Sequence, residues 1–521
     1  MRSRRWRAAA AGAFVLAGLC YGAWVPLQFL NPGAGHPWAY VSELAAVDQP
    51  WSWLARAADV LAGLACLAGV ALTPCAGFGR AAVAGRFGLA LFGGMTIADA
   101  ALFPLDCASL SDPSCAAAEA AGRVSAAHRI HPLVSSLALA GAAAGLATLP
   151  VGAAWRRGRR PERGAVSGAG KGSARGAGHG AAYGPAAPAA RTGAPARTPM
   201  TVITVTLMGA ATLWTLALVV TGGPVGVAQR LQVGVVTLWL MLLGAALWRE
   251  RPAPVPHRTH VLVEGAGAPP VLICAGMAGA WFHWDGVAAA LSGDHTVIRF
   301  DRPGLGLSSG HLAPPTLRAE AARIAALAGP SPVIVVGHSA GGLHAEAFAR
   351  LHPARVAGLV LADPSCERAP RPRGRLRAAA VRAVQRALPS WGRTSGAAVL
   401  ARLSLPLAHR LVMGAHRRAR GVYGRGRVLA AALAEWLAYP DMVADLADLR
   451  ARHPLPDVPV LILSAGSADP CHRHLAGLLR ARLVSLPGVG HEIQVERPEV
   501  IAWAVGALGG LRDGRPGTRP S

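Results

Sequence analysis

Two incompatible patterns of apolar and polar positions divide the chain. In the first half, long runs carry almost no charge. Residues 8–42 have none, nor do 60–79, 132–155, 198–228 or 231–248, and 87–105 hold only Asp99. A helix needs roughly 20 apolar residues to cross about 30 Å of hydrocarbon. The runs therefore predict six membrane spans, near 8–28, 58–77, 86–105, 131–153, 200–220 and 227–248. After Pro256 the pattern changes to short β-branched runs between helical stretches. Val261–Val263, Val271–Cys274, Thr296–Phe300, Val333–Val336, Leu359–Leu361 and Val460–Leu463 read as strands. Their near-continuous apolar character suits a mostly parallel sheet covered on both faces.

Composition agrees with this division. The 521 residues exceed one compact core, and 52% hydrophobic against 15% charged excludes a wholly soluble or a disordered chain. A six-span membrane domain over 1–250 and an α/β domain over 257–512 are expected. Lys and Arg exceed Asp and Glu by 52 − 27 = 25. No aromatic interleaving or binding motif accompanies that charge, so membrane lipids are the expected partner and nucleic acid is not. Residues 156–199 hold nine Lys/Arg against Glu162 alone in a Gly-, Ala- and Pro-rich background. That composition cannot bury enough surface to order itself, so a disordered basic linker is expected, and a similar tail at 513–521.

Arg2, Arg4, Arg5 and Arg7, the linker, and Arg249 with Arg251 mark one side of the membrane, whereas Glu43, Asp48, Asp106, Asp112 and Glu119 mark the other. The positive-inside rule then places both termini and the second domain in the cytoplasm of a multi-pass cell (inner) membrane protein. The first span has a basic start, but it is too long for a signal peptide and lacks a clean cleavage site.

At the outer end, Cys107 and Cys115 share a loop where a disulfide persists. Asp99 lies within span three, and His128 and His131 open span four. Ionisable groups at membrane depth usually face the bundle interior. Asp99, Asp106, His128 and His131 are thus a candidate polar site; the alternative is histidines idling at head-group level. Tyr40–Leu44, Phe103–Cys107 and the two histidines resemble the bacterial six-span family DUF998, over roughly 8–250. That family implies no settled activity.

In the second domain, the strand Val333–Val336 runs into Gly337-His338-Ser339-Ala340-Gly341, followed by a helical stretch. This is G-x-S-x-G in its strand–turn–helix setting, where a strained turn lifts the serine hydroxyl clear. Serine needs a base oriented by an acid, and the α/β-hydrolase fold that this turn resembles implies the chain order Ser, Asp/Glu, His. Asp469 follows the strand at Val460, and His491 follows in a Gly-rich loop. Asp363, directly after the strand at Leu359, is the alternative acid. His472 and His474 stand too close behind Asp469 to be preferred as base, His338 reads as packing, and Asp301 as a turn anchor. Backbone amides of Ala340 and Met277 are the candidate oxyanion donors. Ala275-Gly276 stand where His-Gly is usual, which removes a buttress from that loop.

The Asp301–Gly304 turn, the Ser339 elbow, Asp469 and His491 together resemble the α/β-hydrolase superfamily, over about 258–512. The resemblance implies a serine hydrolase with an esterase- or lipase-like Ser-Asp-His triad, forming an acyl-enzyme without metal or cofactor. Some members place the acid at the position of Asp363. A cap insertion is expected at about 366–455, where fifteen arginines run from Arg368 to Arg427 without an acid. Arg375, Arg377, Arg382 and Arg386 interleave with Leu376, Val381, Val384 and Leu388, the pattern of a basic amphipathic helix. The expected substrate is a small-molecule or lipid-like ester. The rival reading is a membrane sensor or transporter whose hydrolase-like domain only binds.

Overall fold

The computed structural model describes residues 2–31, 33–74, 80–149, 199–221, 223–249, 258–310, 314–367, 375–467 and 469–512. The basic linker up to residue 198 and the 513–521 tail lie outside these residues. The chain divides into two compact units: Arg7–Val70 with Gly77–Arg251, and Pro252–Ser521 with Met1–Trp6 and Ala71–Ala76.

The membrane-type unit is all helix: α1 (Arg2–Tyr21), α2 (Trp24–Leu30), α3 (Ser52–Leu72), α4 (Arg80–Leu102), α5 (Pro113–Ala120), α6 (Ala126–Thr148), α7 (Pro199–Thr221) and α8 (Val225–Arg249). Among the described residues, six stretches are long and apolar enough to cross a membrane: Arg5–Leu30, Ser52–Leu72, Ala81–Leu102, Ala126–Thr148, Met200–Thr221 and Val225–Arg249. Spans two to four begin earlier than the charge-free runs suggest. Helix α3 continues through Arg56 and Asp59, and α6 starts where the Ser125 hydroxyl accepts the His128 N–H. Capping and packing fix helix ends, whereas absence of charge marks only their middles. Helices α4 and α6 cross closely because both are glycine at the crossing. A Cβ on Gly88 would lie 2.6 Å from the Gly141 carbonyl oxygen, and one on Gly141 would lie 2.6 Å from that of Gly88. Small residues drive such approach where lipid offers no hydrophobic incentive.

The second unit has the α/β-hydrolase fold. Its strands are β1 (Val261–Glu264), β2 (Val271–Cys274), β3 (Val297–Phe300), β4 (Val333–His338), β5 (Val356–Ala362), β6 (Val460–Ala465) and β7 (Arg482–Leu486). They form one sheet in the order β1-β3-β2-β4-β5-β6-β7, parallel except for β1 against β3. The seventh strand was not expected. It is a half-buried edge strand with Arg482 and Ser485 among its apolar residues, so no continuous apolar run announces it.

The helices are α9 (Asp285–Leu291), α10 (Leu317–Ala328), α11 (Gly341–Leu351), α12 (Arg375–Trp391), α13 (Ser395–Met413), α14 (Ala419–Tyr423), α15 (Gly426–Arg452), α16 (Pro470–Leu479), α17 (Ile493–Glu496) and α18 (Pro498–Arg512). One face of the sheet packs Val271, Ile334 and Leu461 under α9 and α18 through Val287, Leu291, Ile501 and Leu508. The other packs Leu272, Val335 and Ile462 under α10, α11 and α16 through Ile324, Phe348 and Leu475. The insertion between β5 and β6 is helical, α12–α15. Its long helix α15 seats Ala438, Met442 and Leu446 against Leu343 and Ala347 of α11.

Candidate active site

The C-terminal ends of β4, β5 and β6 converge on one turn. Ser339 occupies it with φ +50°, a left-handed conformation costly for any residue but glycine. The neighbours explain how it is held. A Cβ on Gly341 would lie 2.2 Å from the Cys274 carbonyl oxygen, and one on Gly337 would lie 2.8 Å from that of Gly341. Ser339 N–H donates to the Ala362 carbonyl at 3.2 Å, while its own carbonyl accepts from Gly342 at 2.9 Å and Ser365 at 3.0 Å. The side chain remains half-buried, within reach of a substrate.

His491 does not meet Asp469, the candidate acid the sequence put first. His491 Nδ1 lies 2.5 Å from Asp363 Oδ2, and Asp363 Oδ1 accepts the Ala465 N–H at 2.8 Å. Asp469 instead caps α16, its Oδ1 accepting the Cys471 N–H at 2.6 Å, and is exposed. The reason is positional. Asp363 is the first residue beyond β5, held at φ +40°, beside the turn that carries Ser339. Asp469 comes four positions past the end of β6, where α16 is already beginning.

Electrostatics fit a charge pair. Burial would raise the Asp363 pKa, but the hydrogen bonds from His491 and Ala465 outweigh it and hold the carboxyl below its ordinary value. The same hydrogen bond, working against burial, raises that of His491. His338 packs its ring 4.7 Å from that of His491 and bonds the His491 carbonyl at 2.9 Å. Burial, then the neighbouring His491, lower its pKa to about 4, so it stays neutral packing as expected. His472 joins the acid's surroundings from behind, bridging Ser464 Oγ at 2.8 Å and the Pro364 carbonyl at 2.9 Å.

The loop carrying Met277 passes directly over Ser339. A Cβ on Gly276 would lie 3.3 Å from that of Ser339. Ala340, the other candidate donor, is buried at the start of α11. The loop is not without its buttress. Arg302 donates to the carbonyls of Ala275 at 2.5 Å and Gly276 at 2.6 Å, and pairs with Glu435 at 2.5 Å. Glu435 Oε2 also accepts the Ala278 N–H at 2.9 Å, and the Tyr423 hydroxyl donates to the Ala278 carbonyl at 2.9 Å. Burial would raise the Glu435 pKa, but Arg302 overcomes it and keeps the carboxylate charged. Sequence reading missed this brace. Its one signal was that Glu435 is the first acid after fifteen arginines.

Other expected residues fall into place around this centre. Asp301 is buried and accepts from Trp281 N–H at 3.0 Å and Leu307 N–H at 2.9 Å, anchoring the turn. Trp281, Phe282 and Trp284 are core. The basic amphipathic reading of α12 holds only in part, since Leu376 and Val384 are exposed while Leu388 is buried. A wider apolar surface appears on α13, where Leu403, Leu407, Leu411 and Val412 are all exposed.

In the membrane-type unit the four-residue polar cluster divides. Asp99 Oδ1 pairs with His131 Nδ1 at 3.0 Å, and Ser135 Oγ donates to Asp99 Oδ2 at 2.9 Å. Asp106 and His128 do not join them. Asp106 fastens Ser125 through its N–H at 2.6 Å and its hydroxyl at 2.7 Å, and His128 Nδ1 accepts the Asp106 N–H at 3.1 Å. Those two residues organise the entry to α6. Cys107 and Cys115 are bonded, as expected, and Cys366 is bonded to Cys471.

An α/β-hydrolase fold with a serine elbow, joined to a unit of six apolar helices, is thus the class of molecule present. Residues 269–498 match the family described as alpha/beta hydrolase fold, and residues 14–178 match a protein family of unknown function, DUF998. Among solved structures, the second half is similar to an enol-lactonase from Burkholderia xenovorans, at 24% identity over 48% of this chain and 95% of that one, TM-score 0.36. An esterase from Thermogutta terrifontis matches at 23% over 49% and 93%, TM-score 0.36. A putative epoxide hydrolase from Pseudomonas aeruginosa matches at 20% over 49% and 93%, TM-score 0.38.

Proposed function

We propose that the protein is a membrane-anchored serine hydrolase that cleaves a carboxylic ester through an acyl-enzyme, with Ser339 as nucleophile, His491 as base and Asp363 as the orienting acid. The observation that carries this reading is the 2.5 Å contact between His491 Nδ1 and Asp363 beside a left-handed serine elbow. With Nδ1 bound to the carboxylate, Nε2 is the nitrogen free to take a proton. Ser339 Oγ attacks the ester carbonyl as its proton passes to His491 Nε2. The carbonyl oxygen becomes an oxyanion, received by the Met277 and Ala340 amides. The imidazolium then protonates the departing alcohol, and water, deprotonated by the same nitrogen, releases the acid. Throughout, Asp363 stabilises the imidazolium and fixes its tautomer.

A lipophilic ester is the substrate class this reading favours. The exposed leucines of α13 lie among Arg402 and Arg410, a surface suited to a lipid-like molecule or an anionic leaflet. Positive-inside logic puts this unit in the cytoplasm. A fluorophosphonate probe applied to the full-length chain tests the nucleophile. Labelling is expected for wild type and absent for Ser339→Ala. No labelling of folded wild type would instead leave a hydrolase-like binding module. A panel of p-nitrophenyl esters of graded acyl length then reads the substrate class.

A further inference from the structure

We propose that the outer half of the six-helix bundle binds a small monovalent cation, a sodium ion or the ammonium group of a small amine, held between Asp59 and Asp99. These two carboxylates line a cavity of about 80 Å³ together with Tyr21, Thr96 and Ser135. Asp59 lies seven positions into α3, which at 1.5 Å per residue is about 10 Å along the helix. Asp99 and Ser135 belong to α4 and α6, so three different spans supply the site.

The charges in the cavity do not balance. Among the described residues His131 is the one group beside the two acids that can carry positive charge, and its contacts are committed. Its Nδ1 lies 2.9 Å from the Phe103 carbonyl and 3.0 Å from Asp99 Oδ1. His131 and Ser135 thereby satisfy Asp99, and neither reaches Asp59 with a hydrogen bond. Asp59 makes no hydrogen bond or ion pair among the described residues, and no Lys or Arg lines the cavity. Arg230, near the start of α8, donates to the carbonyls of His36, Pro37 and Ala39 instead. Two carboxylates therefore face at most one positive charge.

An unpaired carboxylate away from water is costly, and at membrane depth such residues mark binding or transport. The excess is a single negative charge, which matches a monovalent rather than a divalent partner. The remaining donors are oxygens: the Ser135 hydroxyl, and Thr96 Oγ1, whose proton goes to the Phe92 carbonyl at 2.8 Å and whose lone pairs stay available. Oxygen ligands suit an alkali ion, and equally accept the N–H groups of an ammonium. The sequence concealed the site because Asp59 stands second in the expected span 58–77, at its edge, whereas the helix begins at Ser52.

The test is thermal unfolding of the full-length chain in detergent micelles, titrated with sodium chloride, methylammonium chloride or N-methylglucamine chloride at constant ionic strength. A ligand that binds only the folded state raises the midpoint with its concentration. A saturable rise with sodium alone identifies the metal ion, and one with methylammonium alone identifies an amine. In Asp59→Asn the apparent affinity is expected to fall at least tenfold, with fluorophosphonate labelling of Ser339 retained as the check on folding. Ser135→Ala, which keeps both carboxylates, is expected to weaken the response by a smaller factor. Midpoints that follow N-methylglucamine in all three salts, or an Asp59→Asn response equal to wild type, would overturn the proposal.

Discussion

Asparagine at position 363 gives the sharpest test of the catalytic reading. Asp363 Oδ2 sits 2.5 Å from His491 Nδ1, and its side chain is only 15% exposed, so water cannot replace it. The amide keeps the shape but no longer holds the imidazole in the required tautomer or stabilises its charged form. In serine proteases the equivalent change lowers kcat about 10⁴-fold, which at about 1.4 kcal/mol per decade is roughly 5 kcal/mol of lost transition-state stabilisation. Asp363→Asn is therefore expected to lower kcat about 10³- to 10⁴-fold on a p-nitrophenyl ester, with KM little changed. Asp469→Asn should stay within about threefold of wild type, because asparagine caps a helix as well as aspartate does. The pH profile adds a second arm. Activity needs neutral His491, and its pKa is raised by Asp363, so the acidic limb of kcat/KM should lie above the ordinary histidine value and move down in the variant. Equal losses in both variants, or loss in Asp469→Asn alone, would refute the assignment.

Three further outcomes follow from the packing and the disulfides. Glu435→Ala leaves Arg302 buried and uncompensated, so it should destabilise the second unit by about 3–5 kcal/mol, read by chemical unfolding, and lower kcat more than it raises KM. Gly88→Leu should disrupt the α4–α6 crossing and abolish a monodisperse gel-filtration peak, while Gly94→Leu, whose Cβ meets nothing within 4 Å, should not. Counting spans from a cytoplasmic N-terminus puts Cys107 and Cys115 outside and Cys366 and Cys471 inside, where disulfides seldom persist. In quenched cells the first pair should resist alkylation and the second react with a membrane-permeant maleimide. An oxidised Cys366–Cys471 pair in situ would reverse the orientation.

Much of this molecule is legible along the chain because its signals are local. Charge-free runs give the spans, and a strand, a strained turn and a helix in immediate succession give Ser339. His491 was legible by chain order. Its carboxylate partner was not, because Asp363 and Asp469 each follow a strand and only the meeting of three strand ends separates them. That meeting depends on how far each residue stands beyond its strand, one position for Asp363 and four for Asp469. Asp59 was hidden for a different reason. Helix ends are set by caps and packing, so Asp59 stood at the edge of the expected span 58–77 although it lies seven positions into the helix. The long-range brace of Arg302 and Glu435, 133 positions apart, has no local signature beyond Glu435 being the first acid after a run of arginines.

That brace changes what the cap does. Ala278 holds φ +55°, and its N–H and carbonyl are both bonded by residues of the insertion, Glu435 and Tyr423. The loop bearing the Met277 amide is thus shaped from above by α14 and α15 and from below by Arg302. A loop in a sparsely populated conformation persists only when its surroundings over-determine it. Losing an oxyanion donor costs on the order of 10²- to 10³-fold in rate. Movement of α15 that broke the Glu435 contacts would therefore cost activity even with Ser339, His491 and Asp363 undisturbed. On the proposed mechanism the insertion therefore completes the oxyanion site, and an acyl group that lifted it would weaken catalysis and binding together.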